Sequence, residues 1–354
     1  MLEERSISVI QEINNVGKTI RNKSFGEKEQ SQLNLYRSLH IPIMKALSDV
    51  VRNKKIKPKI TARRLKRFSS IEKKLNRFKT MRLSQMQDIA GVRAVFDNIQ
   101  EVYDFSNDME KTYKNNRNFK FSGCKDYISQ PKNDGYRSIH QIFTYKKGQY
   151  EQDCKGLSVE LQIRTLLQHY WATAIEILSF KTAFNLKLGE GEEYHKEFFR
   201  LCSVLIAHQE KTTIHEKYKD LSMSQIIQKI ASLDKTHNII ANLSALTITS
   251  KNIQADIINK HFYYYVMELN LDSNKLAIRG FKQKEANEAK LYYAMVEHRR
   301  DKSNIDVVLI SIDKVKQLKS AYPNYFLDSK KFIRFIEKHY EFFAKNLDDK
   351  NQQI

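Results

Sequence analysis

The chain has 354 residues, with 61 Lys and Arg against 41 Asp and Glu, a formal net charge of +20 at pH 7. Hydrophobic residues make up 41% and aromatics 11%, enough to bury real cores, so a wholly disordered chain is excluded and about two domains are expected. Only 10 Gly and 4 Pro are present, which excludes collagen-like and glycine-rich arrays and points to a helix-heavy α/β or α+β protein.

Cys124, Cys154 and Cys202 are far apart and odd in number, so neither a disulfide framework nor a CxxC metal site is drawn from them. MLEERSISVI has no signal-peptide core, and no run nears the roughly 18 apolar residues of a spanning helix. The expectation is a soluble cytoplasmic protein whose positive charge meets an anionic partner, nucleotide or nucleic acid, rather than a membrane.

In chain order, residues 1 to about 50 read as helices, from the spacing of Val9, Ile10, Ile13, Val16 and then Leu33, Leu35, Leu39, Ile43, Leu47. Between Arg52 and Arg82 stand 14 Lys and Arg with one acid, Glu72. Short strands follow at 92–96, 138–146 and 157–163, with helical connections. In the last, Leu157, Val159, Leu161 and Ile163 alternate with Ser158, Glu160 and Gln162, which presents Glu160 on the wet face. Helices are predicted from Thr165 to about Phe180 and from Glu193 through Ile258, with breaks near Asp220 or Ser232. A hairpin at 261–281, a helix at 283–300, a buried strand at 305–312 and helices at 313–320 and 329–345 complete the pattern. A boundary near 258 divides the chain into domains 1–258 and 259–354.

Within the basic stretch, Arg64 and Lys66 point the same way if the segment is extended, and Ser69 with Glu72 makes an S-x-x-E box that predicts a helix start. Ser70, Lys74 and Arg77 then share one helical face, so cations converge on a helix N-terminus suited to phosphate, unless the helix is merely a solvated basic one. No GxxxxGK[ST] occurs, and Gly189-Glu190-Gly191 has no strand before it. Asp88 and Glu160 end or line strands, either as ordinary strand-end acids or as a pair of hard oxygen donors for Mg²⁺. The segment KDYISQPKNDGYRSIH puts Lys125, Lys132, Tyr136, Arg137 and His140 around a Pro and Gly turn, a setting for stacking a base beside cations.

RRLKRFSSIEKK, QDIAGVRAVF, KDYISQPKNDGYRSIH and VELQIRTLLQHYWATAIE, in this order, resemble the synthetase domain of the RelA/SpoT family of alarmone pyrophosphokinases, over about residues 50–180. The resemblance implies an α+β fold, a mixed β-sheet of nucleotidyltransferase-like type with flanking helices. It also implies transfer of the β,γ-pyrophosphate of ATP to a ribose 3′-hydroxyl. By resemblance, Arg64 and Arg93 sandwich the adenine, Lys66, Ser70 and Lys74 clamp the phosphates, and Asp88 and Glu160 share Mg²⁺, Glu160 also taking the 3′-hydroxyl proton. Tyr136 stacks the acceptor base, counted as catalytic with the two acids, with Lys132 and His140 beside it. Gln162 and Arg164 share the strand face of Glu160, while His169 and Glu176 share a helical side, His169 standing where small alarmone synthetases often carry Asn. Such transfer needs no covalent intermediate, only in-line positioning and neutralised charge.

No HxxxHD hydrolase set is present, His40 standing alone. The LLQHYWATAIE form and the tail are similar to toxic small synthetases fused to their own antitoxin, of the CapRel type. The resemblance implies a small C-terminal α/β domain like a zinc finger without its zinc. It also implies an autoinhibitory YxxY element at Tyr322-Pro323-Asn324-Tyr325, tRNA pyrophosphorylated at its 3′ CCA end, arrested translation, and antiphage defence triggered by a phage protein. Read from the residues alone, the two tyrosines either stack on the adenine-gripping arginines or anchor the tail in the core. A (p)ppGpp or (p)ppApp synthetase acting on free purine nucleotides, and a catalytically silent RNA-binding module, are the other readings.

Overall fold

The structure is a computed structural model that describes residues 2–114, 116–148, 154–182, 191–249, 262–273, 275–299, 305–311 and 318–351. Two helices, α1 (Leu2–Arg21) and α2 (Glu27–Asn53), precede β1 (Ile60–Leu65), α3 (Phe68–Arg77), β2 (Ala90–Phe96) and α4 (Ile99–Lys114). The strands β3 (Phe119–Asp126), β4 (Ile139–Tyr145) and β5 (Ser158–Thr165) come next. Four helices follow: α5 (Leu166–Thr182), α6 (Glu193–Glu210), α7 (Met223–His237) and α8 (Ile239–Thr249). The C-terminal segment adds β6 (Tyr264–Asn270), β7 (Lys275–Phe281), α9 (Ala286–Arg299), β8 (Ile305–Ser311), α10 (Leu318–Ala321) and α11 (Lys330–Asn351).

All eight strands form one mixed sheet in the order β3-β4-β5-β2-β1-β8-β6-β7, so the expected α+β class with a mixed sheet and flanking helices is found. Among the described residues only β2 and β5 pair in parallel. The boundary expected near 258 and Gly189-Glu190 lie outside the described residues. The C-terminal strands extend the same sheet, because β8 pairs with β1 through Arg63↔Ser311 and Arg64↔Ile310.

Strand periodicity divides the two faces. Ala90, Val92, Ala94 and Phe96 of β2, with Val159, Leu161 and Ile163 of β5, point to a core closed by Ile43, Leu47 and Val51 of α2 and by Phe105 and Met109 of α4. The opposite face is split. Ile60, Ala62 and Val95 pack into a second core with α5, α6 and the C-terminal residues Tyr322, Tyr325 and Phe332. Further along the same face stand Arg64, Gly91, Arg93, Glu160 and Gln162, and there the sheet opens into a cavity.

Three local expectations are corrected. β1 and β3 replace stretches read as basic or helical; in β1, Ile60, Ala62 and Leu65 are buried, and so is Arg63, while Thr61 and Arg64 are partly exposed. The long helix expected from Glu193 is broken around Asp220 as expected, α6 ending at the left-handed Lys211 and α7 starting from a Ser222–Gln225 capping box, but the second break comes at the left-handed Asn238 and not at Ser232, which lies inside α7. The Ser69–Glu72 box does not form, since α3 begins at Phe68 with Arg67 as its N-cap and no side-chain cap bond from that residue.

Candidate active site

The cavity occupies about 1200 Å³ on the open half-face of the sheet. That exceeds the roughly 300–1,000 Å³ usual for one small ligand, and suits two substrates side by side. Its floor is set by strand register. One row runs Arg64 (β1), Gly91 (β2), Glu160 (β5) and Ile142 (β4); the next runs Ala62, Arg93, Gln162, His140 and Lys125. Because Gly91 has no side chain, the space between Arg64 and Glu160 is clear, and a Cβ added there would meet only the Arg64 carbonyl oxygen, at 3.8 Å.

Asp88 sits just before β2 and Lys66 just after β1, the two held together by Lys66 N–H donating to the Ile89 carbonyl at 2.7 Å. The Asp88 carboxylate accepts from Lys66 Nζ at 2.7 Å and from Lys74 Nζ at 2.8 Å, one lysine on each oxygen. Burial alone would raise the pKa of Asp88, but these two ammonium groups outweigh it and hold the carboxyl well below its usual range. Ser70, Lys73, Lys74 and Arg77 line the wall along the side of α3. The first N–H of that helix, of Phe68, donates to Glu297 at 2.9 Å.

Across β2 from this group, and near enough for the Asp88 charge to act on it, Glu160 accepts from Gln162 Nε2 at 2.7 Å and from His140 Nδ1 at 3.2 Å. The Nε2 of His140 lies 2.9 Å from the Tyr136 hydroxyl. Burial opposes charge on all three groups, yet their contacts prevail: His140 is pushed up by Tyr136 and Glu160, Tyr136 is pulled down by His140 and Arg164, and Glu160 is pulled down by His140. Lys132 Nζ stands 4.2 Å from the Tyr127 ring centre and 5.0 Å from that of Tyr136, and Lys125 lines the cavity as well.

Fifteen of the residues singled out from sequence therefore share one cavity: Arg64, Lys66, Ser70, Lys74, Arg77, Asp88, Arg93, Lys125, Lys132, Tyr136, His140, Glu160, Gln162, Arg164 and Glu176. Arg137 and His169 are placed elsewhere. Arg137 is buried, donating to Ser203 Oγ at 3.0 Å and to the Thr213 carbonyl at 2.8 Å, and so braces the Tyr136 loop from behind. His169 is fully buried, taking Arg164 Nη2 on Nδ1 at 2.5 Å and donating from Nε2 to the Ser320 carbonyl at 2.9 Å.

The tail approaches the cavity differently from the stacking read from YxxY. Tyr322 and Tyr325 are both buried in the core; the Tyr322 hydroxyl donates to the Arg63 carbonyl at 2.6 Å, and the Tyr325 ring lies 5.1 Å from Arg67 rather than on Arg64 or Arg93. Asn324, between them, lines the cavity and donates to Glu176 at 3.2 Å, and Arg93 Nη1 donates to the Ala321 carbonyl at 3.3 Å. Sequence reasoning missed Lys196 and Arg200, one turn apart on α6, as well as Tyr127 and Asn324, all lining residues. Only the i, i+4 spacing of the α6 pair offered a signal.

Among the described residues no group of three or more His, Cys, Asp and Glu is placed to hold a metal; four carboxylates line the cavity, Asp88, Asp134, Glu160 and Glu176, of which Asp88 and Glu160 are the pair singled out from sequence. That pair fits Mg²⁺, which keeps several waters and takes substrate phosphates with one or two carboxylates.

Over 126 residues the chain is 32% identical to "GTP pyrophosphokinase YwaC" of Bacillus subtilis, covering 34% of this chain and 58% of that protein. A second B. subtilis protein, "GTP pyrophosphokinase YjbM", is 35% identical over 126 residues, 35% of this chain and 57% of its own. The chain thus spans a little over half the length of these relatives. The solved structure of the small alarmone synthetase 1 of B. subtilis bound to its product pppGpp aligns with a TM-score of 0.43 and 23% identity, covering 52% of this chain and 94% of that one. Residues 63–183, which run from β1 past the end of α5 and carry Asp88, Tyr136 and Glu160, match the family model described as "Region found in RelA / SpoT proteins".

Proposed function

We propose that the chain is an ATP-dependent pyrophosphokinase of the RelA/SpoT type, moving the β,γ-pyrophosphate of ATP to a ribose 3′-hydroxyl on the 3′ CCA end of tRNA. The observation that carries this reading is the meeting of Asp88, with Lys66 and Lys74, and Glu160, with His140 and Tyr136, in one cavity large enough for two substrates.

In this reading Arg64 and Arg93 grip the adenine, while Ser70, Lys66 and Lys74 take the triphosphate, the two lysines leaving Asp88 as they do so. Asp88 and Glu160 hold Mg²⁺, which when bound neutralises phosphate charge. Tyr136 stacks the terminal base of the acceptor with Lys132 beside it, and Gln162 and His140 orient Glu160. The acceptor oxygen bonds to the β-phosphorus, the bond from that phosphorus to the bridging oxygen of the α-phosphate breaks, AMP leaves, and the hydroxyl proton passes to the ionised Glu160. Charge supports the RNA acceptor: a net +20 exceeds what a triphosphate pocket needs, and phosphate contacts dominate RNA affinity.

Through the turn at 321–325 the C-terminal segment restrains the ATP side, acting as a pseudo-zinc-finger-like antitoxin. A phage protein releases it, and translation stops. The relatives named GTP pyrophosphokinases favour a second reading, a (p)ppGpp or (p)ppApp synthetase using free purine nucleotides. Purified chain with Mg²⁺ and γ-labelled ATP is expected to label bulk tRNA over GDP, GTP or AMP, and Asp88→Asn is expected to abolish labelling. Label on GDP with tRNA left cold would select the second reading, and no label on any acceptor would end both.

A further inference from the structure

The wall of the cavity that carries Ser70, Lys73 and Lys74 is α3, and the start of α3 is held by acids that come from far along the chain. Glu297 of α9 is 5% exposed. One of its oxygens accepts the Phe68 N–H at 2.9 Å and the Tyr293 hydroxyl; the other accepts Arg37 Nη1 at 2.8 Å, from a guanidinium that is itself 1% exposed. Asp306 of β8 accepts Arg67 Nη1, the N-cap residue of α3, at 2.5 Å, while Arg67 Nη2 reaches Glu176 at 3.1 Å. A carboxylate at a helix N-terminus satisfies an orphan N–H and complements the helix dipole. Neither Glu297 nor Asp306 lines the cavity; both act from behind it.

We infer that Glu297 and Asp306 are positioning residues of the donor site: the C-terminal segment fixes the first turn of α3, and through it the aim of Ser70 and Lys74 at the triphosphate. The inference rests on the proposed use of α3 as the phosphate wall. It runs opposite in sign to a plug, because removing a plug strengthens ATP binding whereas loosening this brace weakens it. Lys74 depends on the brace twice, since its Nζ also meets Asp88, and a shift of α3 moves it from both its anchor and its ligand.

The test uses the full chain with Asp306→Asn, which leaves the buried Arg37–Glu297 pair intact, and Glu297→Gln, each checked by thermal melting. With Mg²⁺ and a non-hydrolysable methylene analogue of ATP, Asp306→Asn is expected to weaken binding by at least about tenfold, with KM for ATP rising and kcat nearly unchanged, and Asp306→Glu to recover part of the loss. Faster amide exchange at Phe68 to Ile71 is expected in Glu297→Gln. Unchanged or tighter analogue binding in Asp306→Asn at an unchanged melting temperature overturns the inference, as does retained protection of those amides in Glu297→Gln. A parent chain that neither binds the analogue nor labels any acceptor refutes the proposed function instead, and the exchange at Phe68 to Ile71 then decides on the brace alone.

Discussion

Gly91 separates stability from activity. It lies in the middle of the sheet between Arg64 and Glu160, its backbone has ordinary strand geometry, and an added Cβ meets nothing nearer than 3.8 Å. Glycine in a strand interior costs roughly 0.5–1 kcal/mol relative to alanine, so Gly91→Val is expected to leave stability equal or higher. For a chain of 354 residues a gain near 1 kcal/mol raises the melting temperature by only about 1–2 °C. The two new methyl groups, however, enter the only gap in the row between the arginine that faces the donor and the acid that faces the acceptor. Since a displacement of about 1 Å between reacting groups costs on the order of 100-fold, transfer from labelled ATP is expected to fall by at least that factor. Gly91→Ala falls between the parent and the valine variant. Melting curves and the labelling assay, run on the same preparations, give the answer. A valine variant that melts several degrees lower refutes the open-space argument, and one that transfers at the parent rate refutes the assignment of the cavity.

Two further outcomes are expected. Tyr322→Phe removes the hydroxyl bond to the Arg63 carbonyl, costing about 1 kcal/mol, and loosens the turn whose Ala321 carbonyl holds Arg93; the ATP analogue is then expected to bind more tightly, and unchanged affinity would leave Tyr322 as a core anchor only. His40 is buried, and burial, aided by Arg37, lowers its pKa from 6.5 to about 4. The unfolded chain therefore takes a proton that the folded chain refuses, so stability drains away as pH falls from about 6.5 to about 4, by roughly 3 kcal/mol in all. Urea unfolding of the parent and of His40→Gln across that window should show a shallower acid slope in the variant, and equal slopes would contradict the burial argument.

What the sequence disclosed followed periodicity. The alternation in β5 placed Glu160 on the open face, and the i, i+4 spacing of Ser70 and Lys74 put both on one side of α3, but the meeting of Lys66 and Lys74 on Asp88 was not read from sequence. β1 was hidden because Arg63, Arg64 and nearby lysines swamp the signal of Ile60, Ala62 and Leu65, and β3 because Phe119 and Phe121 are its only large apolar residues and Gly123 interrupts its register. Long-range effects were beyond reach. Nothing local tells that Glu297, 229 residues away, would take the Phe68 N–H in place of the Ser69–Glu72 box, or that Arg137 would turn inward to Ser203 while its neighbour Tyr136 faces the cavity. The tyrosine pair of the tail was visible, but its burial depends on a core shared between α5, α6 and the C-terminal residues.

The seam between β1 and β8 bears on how the chain survives damage. Without β8, the outer rim of β1 would present open backbone donors and acceptors, and such rims recruit neighbouring molecules into intermolecular ladders. A protease cut ahead of β6 followed by loss of the fragment would therefore leave a sticky, self-associating remnant rather than a free monomer.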